Sequence, residues 1–250
     1  MIRSRLIKTS AAVAALSAAV WGIWAFTSAS SSEAGSVKDK FTTFNSEFWK
    51  KTDGYSNGDM FNCTWREDNV SFAGDDLMTL SLTSPSPGEF DGAEYRSLDK
   101  YGYGRYEIRM KPAANPGVVS SFFTYTGPSE GEPWDEIDIE FLGKNTRQVQ
   151  LNYFTDGAGG HEQVIDLGFD ASQEFHWYGF DWKRDSITWY IDGRPVHTAT
   201  ANIPSTAGRI MMNLWNGTGV DSWLEPFDGK VPLHAYYDQF RYTPDQASGE

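Results

Sequence analysis

WYGFDWKRDSITWYIDGRPVHT, residues 177–198, reads as strand, turn, strand, hairpin. Aromatic and β-branched residues dominate both WYGFDW and ITWYI, and such side chains suit a pleated, half-buried surface. Lys183-Arg184-Asp185-Ser186 joins the two runs, and Asp192-Gly193 is a strong signal for a tight hairpin. The segment predicts strands over residues 177–183 and 187–191. Outward from it the pattern recurs at residues 77–83, 105–110, 118–125, 136–141, 149–154, 210–214 and 235–242. No stretch after residue 29 sustains helical periodicity for three turns; residues 170–175 offer one turn at most. The composition agrees: 16 Phe, 12 Tyr and 10 Trp stand against 12 Leu, while 24 Gly and 11 Pro supply turns. No linker, repeat or low-complexity break interrupts residues 38–243, so one domain is expected. Many antiparallel strands within roughly 200 residues imply an all-β sandwich or barrel.

Charge and cysteine count exclude other classes. A formal net charge of -13 argues against a nucleic-acid partner, whose phosphates would have to be neutralised. One Cys allows neither an internal disulfide nor a Cys-based zinc site. At the N-terminus, Arg3, Arg5 and Lys8 precede an apolar run over residues 11–26 and a small-residue site at Thr27-Ser28-Ala29. Residues 1–29 therefore read as a signal peptide of a secreted protein, residues 30–37 as a flexible spacer and residues 38–245 as the working domain. The rival reading is an uncleaved signal anchor, for which sixteen apolar residues are short. Cleavage would remove three basic residues and no acid, leaving a charge of -16 and no stable membrane association.

Trp134-Asp135-Glu136-Ile137-Asp138-Ile139-Glu140-Phe141 alternates acidic and apolar residues strictly. In a strand, Glu136, Asp138 and Glu140 share one face, and Ile137, Ile139 and Phe141 anchor the other. A solvated acidic face is the bland explanation, yet like charges about 6–7 Å apart repel. Such crowding also raises a carboxyl pKa, as a general acid near neutral pH requires. Two carboxyl groups flanking a glycosidic bond are the machinery of glycoside hydrolysis, about 5–5.5 Å apart for retention and about 6.5–9.5 Å for inversion. The Cα atoms of Glu136 and Glu140 should lie about 13 Å apart; side chains leaning together over a curved sheet permit retention without proving it.

WDEIDIEFLG (134–143), with AEYRS (93–97), YGYGRYE (101–107), GGHEQVI (159–165) and IMMNLWNGTGVDSWL (210–224), closely resembles the bacterial lichenases, β-1,3-1,4-glucanases of glycoside hydrolase family 16. The resemblance runs from about residue 41 to 244. It implies a concanavalin-like jelly-roll β-sandwich of two curved antiparallel sheets, with a substrate cleft on the concave face, and a retaining mechanism. By position, Glu136 matches the nucleophile, Glu140 the acid/base and Asp138 the partner between them. The regular E-x-D-x-E spacing resembles lichenases and xyloglucan-acting relatives; the laminarinase branch carries an extra residue. Trp134, Trp215, Trp223, Phe123 and Tyr125 match sugar-binding aromatics, and Asn57, Glu94, Arg96, Asn152 and Asn213 match polar contacts. Phe154 stands where the family usually has Tyr, a lost hydroxyl worth about 1 kcal/mol if that contact was net favourable. His161 is placed near the cleft rim.

Two features depart from the family or extend beyond the chemistry. The resemblance implies a bridge from Cys63 to the position that Gly92 occupies, so that bridge, worth about 2–4 kcal/mol, is absent. Cys63 is expected to be buried. No cofactor is required for the chemistry; the resemblance suggests a structural calcium ion held mostly by carbonyls, with Asp238 as the carboxylate. The expected partner is a neutral β-glucan, and the expected state a monomer. The leading expectation is a secreted endo-glucanase. A transglycosylase on a related glucan and a non-catalytic glycan-binding jelly roll are the competing readings.

Overall fold

The computed structural model describes residues 35–245, so the expectations for residues 1–34 and for the tail after residue 245 lie outside the described residues. Sixteen strands follow in chain order: β1 (Val37–Asp39), β2 (Trp49–Lys51), β3 (Thr64–Trp65), β4 (Val70–Phe72), β5 (Met78–Ser86), β6 (Glu89–Tyr101), β7 (Gly104–Lys111) and β8 (Val118–Thr126). Then come β9 (Asp135–Leu142), β10 (Gln148–Phe154), β11 (Gln163–Asp166), β12 (His176–Trp182), β13 (Ile187–Ile191), β14 (Arg194–Ala199), β15 (Gly208–Asn216) and β16 (Leu233–Pro244). A single α-helical turn, α1 (Asp221–Leu224), stands among the described residues.

The strands form the expected sandwich. The inner sheet runs β11-β10-β9-β8-β15-β6, with β2 on the far side of β6. The outer sheet runs β5-β16-β7-β12-β13-β14, with β4 beside β5 and β1 paired to the end of β16. Strand β5 turns the corner between them: its first half pairs with β16, and Thr83 and Ser86 pair with β6. All these ladders are antiparallel; only the two-residue β3–β6 pair is parallel.

Alternation decides what lies between the sheets. Phe122, Ile137, Ile139, Phe141, Met212 and Leu214 point inward from the inner sheet and are buried, as are Ile108, Phe180, Trp189, Tyr237 and Phe240 from the outer one. Burying each of these side chains stabilises the fold by about 1.5–3 kcal/mol before entropy is counted. Phe122 meets Phe180 and Phe240 at centroid distances of 6.0 and 6.1 Å. Two polar tethers cross the core as well. Trp189 Nε1 donates to the Asp138 carbonyl at 3.1 Å and Tyr237 Oη to the Ser121 carbonyl at 3.0 Å, so outer-sheet side chains hold the backbone of β9 and β8.

The hairpin expected at Asp192-Gly193 is present: Asp192 (φ 48°) and Gly193 (φ 74°) turn β13 into β14, with Ile191 opposite Arg194. Residues 170–175 make the single turn expected of them, closed by the Gln173 amide on the Asp170 carbonyl at 3.1 Å; Asp170 Oδ1 accepts from the Ser172 amide at 3.0 Å and from Thr146 Oγ1 at 2.7 Å, which caps the turn locally. Two expectations need correction. Val37, assigned to the spacer, is a strand residue opposite Tyr242, because β16 offers it a free ladder edge. Strand β6, thirteen residues long, is absent from the strands that periodicity predicts.

Candidate active site

The other face of the inner sheet is the floor of a cleft of about 1230 Å³. Every second residue of five strands faces it: Glu94 and Arg96 on β6, Ser121, Phe123 and Tyr125 on β8, Glu136, Asp138 and Glu140 on β9, Gln150, Asn152 and Phe154 on β10, and Met211, Asn213 and Trp215 on β15. The ladder sets these in rows. Glu140 lies between Ser121 and Gln150, Asp138 between Phe123 and Asn152, and Glu136 between Tyr125 and Phe154. Asn57, Trp134 and Trp223 join from loops and from α1. All fourteen residues singled out as catalytic or substrate-binding thus line one cavity.

The three acids occupy different environments. Asp138 is buried, and burial with the flanking Glu136 and Glu140 charges pushes its carboxyl well above the usual range. The hydrogen bond between Asp138 and Glu136 favours the proton on Asp138 and the anion at Glu136. Burial likewise raises Glu136 to about 7, opposed by two hydrogen bonds: one from Trp134 Nε1 to Oε2 at 2.6 Å and one from Asp138. Glu140 also rises to about 7, through burial and the repulsion of Glu136 and Glu162, against a single hydrogen bond from Gln150 Nε2 at 2.9 Å. Two donors therefore favour the anion at Glu136, and like charges favour the acid at Glu140. A carboxylate and a carboxylic acid on one strand can attack and protonate opposite sides of a glycosidic bond.

Around them, amides and rings alternate. Glu94 accepts from Thr52 Oγ1 at 2.7 Å, Asn213 Oδ1 from Ser121 Oγ at 2.6 Å, and Asn57 Oδ1 from Trp65 Nε1 at 3.0 Å. Asn152 is 5% exposed and its Oδ1 has no protein partner, which suits a sugar hydroxyl. Trp134, 37% exposed, stacks on Phe154 with ring centroids 4.5 Å apart. Phe154 thus keeps the ring's role while lacking the hydroxyl. Trp215 is backed by Phe61 at 4.2 Å.

Sequence reading missed Ser121, Gln150, Met211 and Glu162, all on the cleft wall. Alternation is a usable signal for the first three, each two positions from a residue that sequence identifies; loop residue Glu162 carries none. His161 does not line the cleft. Its ring stacks on Tyr153 at 3.9 Å with Nδ1 2.9 Å from the Tyr153 carbonyl, while its neighbour Glu162 faces the cavity.

Away from the cleft, Cys63 is a buried free thiol, and burial pushes it up to about 12, so it is inert. A Cβ at Gly92 would sit 2.6 Å from Cys63 Sγ, which places the missing bridge partner at that position. Asp238 sits at a register shift in β16, its Oδ2 paired with Arg109 and its buried Oδ1 without a partner. Such an orphaned carboxylate oxygen fits a hard cation otherwise held by carbonyls. No cluster of three or more His, Cys, Asp or Glu suited to a metal occurs among the described residues.

Comparison with known proteins bears on this geometry. The model of "Glycosyl hydrolases family 16" matches residues 57–232. The chain is similar to a beta-glucanase of Bacillus subtilis (strain 168), 62% identical over 215 residues that cover 86% of this chain and 89% of the relative. Its structure is similar to that of the Bacillus licheniformis beta-glucanase, with TM-score 0.83 and 60% identity over 84% of this chain and 98% of the other. It is also similar to a prokaryotic beta-1,3-1,4-glucanase (lichenase) from a mouse hindgut metagenome, with TM-score 0.82 and 51% identity over 84% of this chain and all (100%) of that one.

Proposed function

Because the chain belongs to glycosyl hydrolases family 16, we propose that it is an endo-acting, retaining β-glucanase whose preferred substrate is mixed-linkage β-1,3-1,4-glucan. It is a glycosidase acting on β-glucan. The observation that supports the mechanism is the pair of buried carboxyls Glu136 and Glu140 on one strand at the cleft floor, with hydrogen bonds from Trp134 and Asp138 at Glu136 and a single one from Gln150 at Glu140. Glu136, anionic under two donors, attacks the anomeric carbon as Glu140 gives its proton to the leaving oxygen. Glu140, now a base, then takes a proton from water, which displaces Glu136 from the covalent glycosyl-enzyme. Asp138 holds Glu136 in place by its hydrogen bond and, staying neutral, spares the site a third charge. Stacked rings bind the apolar sugar faces, while Asn152, Asn213, Glu94 and Arg96 take the hydroxyl edges.

A neutral glucan needs no basic patch, in keeping with the acidity of the chain. The basic and apolar residues 1–29 support export of the enzyme, and no helix among the described residues is long and apolar enough to cross a membrane. Asp238 Oδ1 would hold a calcium ion whose role is to brace the outer sheet, remote from the chemistry.

Purified protein assayed on barley β-glucan, lichenan, laminarin and cellulose should release oligosaccharides from the first two only. Release from laminarin alone, or products longer than the substrate, would favour a laminarinase or a transglycosylase. Glu136→Ala should be inactive and, with azide, should yield an α-glycosyl azide from an activated substrate. Undiminished turnover in that variant would sink the nucleophile assignment.

A further inference from the structure

Glu140 is reached by a chain of hydrogen bonds that ends on the only α-helical turn among the described residues. Trp223 of α1 donates from Nε1 to Gln150 Oε1 at 3.1 Å, and Gln150 Nε2 donates to Glu140 Oε2 at 2.9 Å. The direction is dictated by chemistry, because an indole N–H only donates. Gln150 must therefore turn its oxygen to Trp223 and its NH2 to Glu140. An amide free of Trp223 could flip and offer the acid an acceptor instead.

The helical turn is itself fixed from three sides. Leu224 is buried in the core, its carbonyl accepts from the Gly117 amide at 2.9 Å, and the Trp223 carbonyl accepts from Lys144 Nζ. Lys144 lies in the turn from β9, which carries Glu140, to β10, which carries Gln150. The contacts thus close a ring: β9, β10, α1 and back to the β9–β10 turn.

We propose that Trp223 and Gln150 are positioning residues for Glu140, and that by occupying its Oε2 they assign the catalytic proton to Oε1. The proposal rests on the acid/base role given to Glu140 above. Trp223 then has two functions on two parts of one side chain: its ring faces the cleft, and its N–H is spent on Gln150. The remaining ionisable groups around Glu140 are Glu136 and Asp138 on its own strand and Glu162 from the segment before β11. Glu136 and Glu162 raise its pKa, whereas Gln150 is the neighbour that lowers it. Losing the amide donor should therefore keep Glu140 protonated to higher pH.

Trp223→Phe removes the N–H and keeps a ring; Gln150→Met removes the donor and keeps the length. In both, the basic limb of the kcat/KM–pH profile on β-glucan should move up by about one pH unit. An aryl glucoside whose leaving group needs no proton should show far less loss of rate than β-glucan. Glu140→Ala should lose the basic limb entirely. If it keeps that limb, the acid/base assignment falls and the relay falls with it. If Glu140→Ala loses the limb but the other two variants keep the wild-type limb, or only Gln150→Met moves it, the relay alone is overturned. Should a variant misfold, the Gln150 side-chain amide NMR signal of the wild-type protein must titrate with Glu140; an amide signal flat across the range from about pH 5 to about pH 9 refutes the proposal.

Discussion

At Gly92 a missing side chain explains a missing covalent bond. A Cβ there would meet Cys63 Sγ at 2.6 Å, but also the Leu214 carbonyl at 2.9 Å and Trp65 at 3.1 Å. Gly92→Cys should bridge to Cys63 and stabilise the fold by about 2–3 kcal/mol, less than loop entropy alone would supply, because those two neighbours must give way. A melting temperature that rises in the oxidised variant and falls back with dithiothreitol is the expected result; identical melts with and without reductant would count against it. Individual site residues are legible in sequence in proportion to their regularity. The carboxylates announce themselves by strict alternation, and Ser121, Gln150 and Met211 obey the same alternation beside them. Glu162 comes from a loop, where no periodicity ties a residue to a face. The hydrogen bond from Trp223 to Gln150 joins residues 73 apart, and nothing local encodes it.

At the scale of elements, the acid-bearing strand is tied down by its first residue. Asp135 is buried, and its carboxylate accepts three backbone amides: Asp156 at 2.9 Å through Oδ1, and Ser205 and Thr206 at 2.9 Å each through Oδ2. It points away from the cleft, yet it anchors two loops to the strand end beside Glu136. Asp135→Ala should cost about 3 kcal/mol in urea unfolding, since it orphans three amides bound to a charge. Hydrogen exchange should quicken first at those three amides. Strands with clear periodicity fall within one to three residues of their expected bounds, whereas β6 escapes sequence reading. Its sequence EFDGAEYRSLDKY reads as charged and broken by Asp-Gly, a turn signal. In the fold Gly92 serves close approach and not a turn, because Cys63, Trp65 and Leu214 crowd the space where a side chain would be. Strands β1 to β4, of two or three residues each, are too short to display a period.

Across the whole molecule, the cleft acids set a pH dependence of stability. Glu136 and Glu140 rise to about 7 on folding, and Asp138 rises further. The native state then holds protons that the unfolded chain has released, so stability is full below the ordinary carboxylate range and declines as pH rises toward 7 and above. Melting temperature should fall between about pH 5 and about pH 8. Glu140→Gln should flatten that fall and melt higher than wild type at about pH 8 while losing activity, a direct exchange of stability for function. A melting curve for the variant that tracks wild type at every pH would contradict this. Catalysis should follow a bell in pH whose limbs belong to the coupled Glu136–Glu140 pair.

The position of β16 adds a constraint in time. It is the last strand among the described residues, yet it lies between β5 and β7 near the middle of the outer sheet and also pairs with β1, the first of them. A chain delivered from its N-terminus cannot complete that sheet until residues 233–244 arrive. Until then Tyr237 cannot reach the Ser121 carbonyl, and β8 of the catalytic floor lacks its tether. Completion of the outer sheet thus waits on residues 233–244, and so does the tether that holds β8 of the cleft floor from behind.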